Sequence, residues 1–252
     1  MNLKRFYFLP LCLALLAPAA AAQPAEESST ELLSETSAPL TAAEARAFFA
    51  PDSGGSRVLA APAIALVMAG AKVWNVILAN RPSASLATAY ASAIPGFSFN
   101  WDDLQDWRKV TRKYRFAVDA PLQGRAVDIV YEVSFFHGAI SAPGTSLKKG
   151  SYIANFTVKP EAINLKWGWK VWLETAISDP MNVGTGAEPV AWLRADLKWR
   201  YTKPLRKKPV IGLDSLSVDG LGRLSELNTG GISVSPVLIE EGGDPAPEVR
   251  WH

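Results

Sequence analysis

Cysteine and histidine are nearly missing from this sequence. Its 252 residues include one cysteine, Cys12, and two histidines, His137 and His252. A lone cysteine closes no internal disulfide and builds no thiolate zinc site. Two histidines, one of them the last residue, leave little for a histidine-built metal centre. An excess of one charge is absent too, since 26 Lys+Arg stand against 24 Asp+Glu. No Gly-x-Ser-x-Gly elbow exposes a nucleophilic serine, and no Gly-rich motif opens a helix to cradle phosphate. At 48% hydrophobic and 20% charged, the chain is neither disordered throughout nor a polytopic membrane protein. Tryptophan is in excess, with nine copies.

Residues 1–22 read as a secretory signal peptide. Lys4 and Arg5 precede an apolar run from Phe6 to Ala17, and Ala20-Ala21-Ala22 offers a small-residue cleavage site. Cleavage near Ala22 would remove Lys4, Arg5, Cys12 and no acid. The remaining chain would be neutral and free of cysteine, with no transmembrane span. A periplasmic or secreted location is expected.

Residues 23–56 are rich in Ala, Ser, Glu, Thr and Pro and read as a flexible tether. Within it, Thr41 and Glu44 have capping-box spacing, which suggests a short helix to Ala50. Residues 57–235 read as a helix plus a β-rich domain, and 236–252 as a loose acidic tail. The helix is expected over 58–79, where Ile64, Val67, Ala71, Trp74 and Leu78 form a stripe at helical spacing. A single helical turn is expected at Trp101–Trp107, its aromatics lying on the core.

From Lys109 onward the period is two. Strands are expected over 109–118, 127–135, 152–159, 162–177 and 191–201, with weaker ones near 211–218 and 232–237. Pro160 would separate the long 162–177 strand from the strand before it. Trp167, Trp169 and Trp199 fall on the dry face, Trp172 and Trp192 on the wet face. The fold class is mainly β: an antiparallel β-sandwich or partly closed barrel of about 6–8 strands, with one apolar N-terminal helix packed on or inside it. In a hairpin of 163–177 with 190–201, paired residues must share a face, and like charges avoid facing one another. The register that best meets both conditions sets Lys170 opposite Asp196 and Trp172 opposite Arg194.

Candidate chemistry is sparse. His137 is the one histidine placed to act as a base, near Ser141 and Ser146. Glu132, Glu174 and Asp196 lie on wet faces, where solvated ion pairs compete with a glycosidase-like carboxylate pair. The loop Asp179–Glu188 offers oxygen ligands but lacks the EF-hand spacing. Residues 101–210 carry more basic than acidic side chains, and 211–252 the reverse. Two basic clusters stand out: Arg108, Lys109, Arg112, Lys113 and Arg115, then Lys203, Arg206, Lys207 and Lys208. Exposed tryptophans stack on sugars or sit at membrane interfaces. Trp172, Trp192, Arg194 and Lys170 are therefore the candidate ligand- or partner-binding residues.

The leading expectation is an exported, non-catalytic module that binds or assembles at the cell envelope. Its partner would be a polysaccharide, an anionic lipid, a protein or a second copy. No cofactor, metal or nucleic acid is expected. One alternative is a carrier of a lipid or other apolar ligand, held beside the 58–79 helix. The other is a carboxylate-pair hydrolase.

Overall fold

The computed structural model describes residues 27–41, 66–80, 83–95, 104–121, 123–138, 140–141, 149–206 and 208–227. Among these residues there is no helix; strands and turns account for the regular structure. The chain begins with β1 (Glu27–Pro39), β2 (Leu66–Gly70), β3 (Val73–Asn80), β4 (Ser83–Leu86) and β5 (Ala91–Pro95). It continues through β6 (Leu104–Gln105), β7 (Arg108–Ala120), β8 (Gly124–Gly138), β9 (Ile140–Ser141) and β10 (Tyr152–Leu165). It ends with β11 (Lys170–Ile177), β12 (Met181–Asn182), β13 (Ala191–Thr202), β14 (Val210–Asp219) and β15 (Leu224–Glu226).

Two antiparallel sheets result. The six-stranded sheet runs β1-β7-β8-β10-β5-β2. The seven-stranded sheet runs β15-β14-β13-β11-β3-β4, with β12 added beside β13. The sheets remain separate layers, and no closed barrel forms. Strict alternation explains the layering. Along β13, Ala191, Leu193, Ala195, Leu197, Trp199 and Tyr201 are buried, while Arg194, Lys198 and Arg200 are exposed. A sheet with one apolar face must cover it, and the other sheet does so. Trp199 stacks on Phe116 of the facing layer, with ring centres 4.1 Å apart, and meets Tyr131 edge-on at 5.4 Å. A smaller cluster of Leu104, Trp107, Phe136, Tyr152 and Ala154 closes one end.

That end is also joined by main-chain hydrogen bonds between the layers. Ser151 N–H donates to Pro189 O and Ala191 N–H to Ser151 O, both at 2.8 Å. Gly220 lies so close that a Cβ there would sit 2.2 Å from Ser151 O, which requires glycine. At the opposite end the chain crosses between sheets through the turn Lys166–Trp169.

Several expectations are corrected. The apolar stretch 58–79 contains β2 and β3 in place of a helix; its part before Leu66 lies outside the described residues. In β3, a bulge opposite Leu173/Glu174 turns Val76 and Ile77 inward together, so the buried set Trp74, Val76, Ile77, Ala79 departs from period two. The resulting spacing resembles that of a helix. Gly70 takes φ +101°, and its Ala71 neighbour donates to Tyr90 O at 2.9 Å, which turns the chain from one sheet to the other.

Residues 27–39, expected in a tether, form β1, which pairs antiparallel with β7 from Glu27↔Asp119 to Pro39↔Arg108. Its side chains from Ser28 to Pro39 are exposed, so main-chain pairing rather than burial holds it. Pro160 does not divide two strands. It sits at a bulge of β10, where its missing N–H is tolerated. The break comes instead at Gly168, φ +81°. Trp167, expected in the core, lies in that turn and is 83% exposed. The expected helical turn at 101–107 gives way to strand β6 at Leu104–Gln105, paired with β9, and Trp107 is buried as a lid. The Thr41–Glu44 capping box and the strand near 232–237 lie outside the described residues, as do the signal-like segment and the C-terminal tail.

Candidate functional site

The four candidate residues all lie on the outer face of the seven-stranded sheet, as their alternation requires. The hairpin register differs from the expected one. Lys170 faces Thr202, Trp172 faces Arg200, and Glu174 faces Lys198. Face parity is kept, but each strand is displaced, so Trp172 does not meet Arg194. The observed register sets opposite charges at Glu174 and Lys198, and it seats Leu173 beside Trp199 in the core.

Two groups result on one face. At one end, a row crosses four strands: Leu78, Trp172, Arg200 and Ile211. Leu78 and Ile211 are exposed and Trp172 is half-buried. Lys170 and Lys198 flank this row and enter no ion pair among the described residues, nor does Arg200. At the other end, Trp192 lies between Met181 of β12 and Asp219 of β14. Arg194 is committed there. Its Nε donates to Asp196 Oδ1 at 2.9 Å and its Nη2 to Ser215 Oγ at 3.3 Å. Ser215 Oγ–H in turn donates to Asp196 Oδ1 at 2.6 Å. Eight residues of strand, about 26 Å, separate Trp192 from Arg200.

The first basic cluster behaves otherwise. Lys109 pairs with Glu132 at 3.6 Å, Arg115 with Asp128 at 3.2 Å and Lys113 with Glu161 at 2.5 Å. Arg112 faces inward and pairs with Glu35 of β1 at 3.2 Å. Burial opposes the Arg112 charge, but hydrogen bonds to Tyr114 and Glu35 outweigh it and raise its pKa. Of the acids weighed for a hydrolytic pair, Glu132 and Asp196 are bound to cations and Glu174 faces Lys198. The three lie on two opposite outer surfaces.

The acids that do approach one another are Asp214 and Glu226, between the layers at the β1 edge. Asp214 Oδ2 accepts hydrogen bonds from Thr30 Oγ1 at 3.1 Å and Trp199 Nε1 at 3.2 Å. Tyr114 donates its hydroxyl proton to Glu226 Oε1 at 3.2 Å. Burial raises the Asp214 pKa, and the Glu226 charge adds to it. Burial also pushes Tyr114 up to about 12 and Tyr131 well above its usual value. Sequence reasoning missed this seam because it sought acids on wet faces only. The available signal was an acid on the inward set Val210, Gly212, Asp214, Leu216, Val218. Thr30 and Trp199 close over Asp214, so its chemistry is to hold β1 against the facing sheet.

His137 is buried at the end of β8. A Cβ on Gly222 would lie 2.5 Å from its ring, so the 219–223 turn packs directly on the imidazole. Burial lowers its pKa and favours the neutral ring. Asp219 accepts from Leu221 N–H, Arg223 N–H and Arg223 Nε, which fixes the same turn. Ser146 lies outside the described residues. In the 179–188 loop, Asn182 Oδ1 accepts from Gly184 N–H and Val190 N–H, both at 3.0 Å, and Asp179 pairs with Lys72. Those oxygens close the loop on itself. Among the described residues no group of three or more His, Cys, Asp or Glu is arranged to hold a metal ion.

No protein-family model, curated protein or solved structure matches the chain.

Proposed function

We propose that this protein is an exported, non-catalytic β-sandwich module that attaches to an anionic partner surface at the cell envelope. One observation carries the reading: the outer face of the seven-stranded sheet presents Trp172 between Leu78, Arg200 and Ile211, with Lys170 and Arg200 in no ion pair among the described residues and Lys198 met only by Glu174 across the strand pair. An aromatic and aliphatic row with cations in excess of acids around it is suited to binding rather than to solvation. His137 and Asp214 are both taken up by packing contacts, which favours a binding role over hydrolysis. The carrier reading loses its motive, because the segment that was to line the cavity forms strands of both sheets.

The test is adsorption. The chain lacking residues 1–22 is passed over acidic polysaccharide, anionic liposomes and an immobilised copy of itself. Retention on at least one, weakened by Trp172→Ala, is expected. Flow-through from all three, with a compact monomer, would sink the reading. Cell fractionation of the full chain checks export.

A further inference from the structure

The end of the molecule where the chain crosses between sheets carries two turns side by side. In the first, Trp169 N–H donates to Lys166 O at 3.2 Å, and Gly168 takes φ +81°. In the second, Arg206 N–H donates to Lys203 O at 3.3 Å, Pro204 holds the second position, and Leu205 takes φ +62°. Both follow the pattern of a type II turn, in which the third residue needs a positive φ. The turns are packed together: a Cβ on Gly168 would lie 2.9 Å from Pro204 Cγ.

Their apolar side chains face solvent. Trp167 is 83% and Leu205 104% exposed. Glycine or asparagine suits the third position of such a turn, and a leucine there is strained. Leu205 buries nothing in return, so folding does not account for it. Cations surround the pair: Lys166, Lys170, Lys203, Arg206 and Lys208. Lys166, Lys170, Arg206 and Lys208 enter no ion pair among the described residues. Burial and the nearby Arg206 charge both lower the Lys203 pKa, as crowded positive charge would. The acids at this end are on the six-stranded sheet. Asp119 is matched to Arg125 at 3.5 Å, and Glu27 faces Asp119 in the register.

We propose that this tip docks on a bilayer surface rich in acidic phospholipid, with Trp167 and Leu205 entering the interface and the surrounding cations meeting headgroup phosphates. The proposal rests on the surface-binding reading above and names its surface. Tryptophan favours the membrane interface, and basic residues beside it add attraction to anionic lipid. Leucine offers no stacking face to a sugar, and the Lys166, Arg206 and Lys208 cations beside it favour a phosphate-bearing surface. The two turns pack on each other, which limits the loop ordering that contact requires.

The test is flotation of the full chain with vesicles of phosphatidylglycerol and phosphatidylcholine, against phosphatidylcholine alone. Binding to the mixed vesicles only is expected. Trp167→Ala with Leu205→Gly should lower it about tenfold, and Lys166→Glu with Lys208→Glu by a similar factor. Leu205→Gly relieves the turn, so its melting temperature should be kept or raised, which separates lost docking from lost folding. Val183→Ser, at the far end, should leave flotation unchanged. Acyl-chain-brominated lipid should quench the parent chain more than Trp167→Ala. Absence of flotation, equal binding to neutral vesicles, or flotation indifferent to the tip variants would each overturn the proposal. Retention on acidic polysaccharide or on an immobilised copy, without flotation, would overturn the tip alone; no retention anywhere would overturn the parent reading as well.

Discussion

The outer faces of the two sheets present comparable sets of cations and treat them in opposite ways. The six-stranded sheet shows Lys109, Lys113, Arg115 and Lys159, and the first three are matched by Glu132, Glu161 and Asp128. The seven-stranded sheet shows Lys170, Arg194, Lys198 and Arg200; among them Arg194 is ion-paired, with Asp196, and Lys198 faces Glu174 across the strand pair without closing an ion pair. Exposed ion pairs add little stability, so the first arrangement chiefly removes attraction for anions. The second leaves that attraction in place around Trp172. Two faces of equal alternation thus differ in how closely acids on the neighbouring strands meet the cations.

The comparison can be broken at four levels. The largest effect is expected at the shared interior. Trp199→Ala removes the ring that stacks on Phe116 and hydrogen-bonds Asp214. A loss of about 3–5 kcal/mol in urea unfolding is expected. A loss below about 1 kcal/mol would mean that the two faces do not depend on one interlayer core.

Next comes the unmatched face. Lys198→Glu with Arg200→Glu should reduce adsorption to an anionic matrix about tenfold and leave unfolding within about 0.5 kcal/mol. The converse change, Glu132→Gln with Asp128→Asn, should raise adsorption several-fold by freeing Lys109 and Arg115. Adsorption that ignores both double variants would end the contrast between the faces.

Asp214 is expected to show a smaller effect with a defined sign. Its pKa is raised in the fold, so the unfolded chain gives up this proton more readily. Its stabilising influence is complete below the unfolded value near 3.8 and is lost as pH rises through the folded one. Asp214→Asn should therefore raise the melting temperature at neutral pH and lose that advantage in acid. A gain that persists unchanged at low pH would show that charge is not the cause. The smallest effect belongs to the matched face: Glu161→Gln should change stability by under about 0.5 kcal/mol.

The strands with an unbroken alternation were the legible ones. β7, β8 and β13 each bury alternate apolar residues, and the alternation can be read directly. β3 was not legible, because its bulge places Val76 and Ile77 on one side. β1 was not legible either. Its opening Glu-Ser-Ser-Thr-Glu is polar on both faces, the adjacent Leu32 and Leu33 would fall on opposite faces of a regular strand, and it forms by main-chain pairing with the edge of β7. Trp167 was misplaced by extending one strand's parity through a turn. Among the site residues, the face of Lys170, Trp172, Trp192 and Arg194 followed from parity alone. Their partners did not, since the long 178–190 connection leaves the register to packing. The charge pairing of Glu174 with Lys198 was a cue to it that other like-charge arguments obscured. Arg112 was grouped with its outward neighbours, and Asp214 and Glu226 escaped notice, because inward positions were assumed apolar.

Among the described residues, the main-chain bonds joining the layers lie at one end. Gly138 N–H donates to Gly220 O, Gly220 N–H to Ala191 O, and Ala191 N–H to Ser151 O. This relay ties β8, β10, β13 and β14 across both sheets, like the closed end of a clasp. The other end has only the crossover turn and side-chain packing. Amide exchange should therefore be graded along the strands rather than across them. Gly220 and Ala191 should exchange only with global unfolding, while Trp169 and Arg206 open locally and sooner. The end that bears Trp167 and Leu205 can thus shift against a contact while the spacing of the layers is set some 30 Å away, at the clasped end.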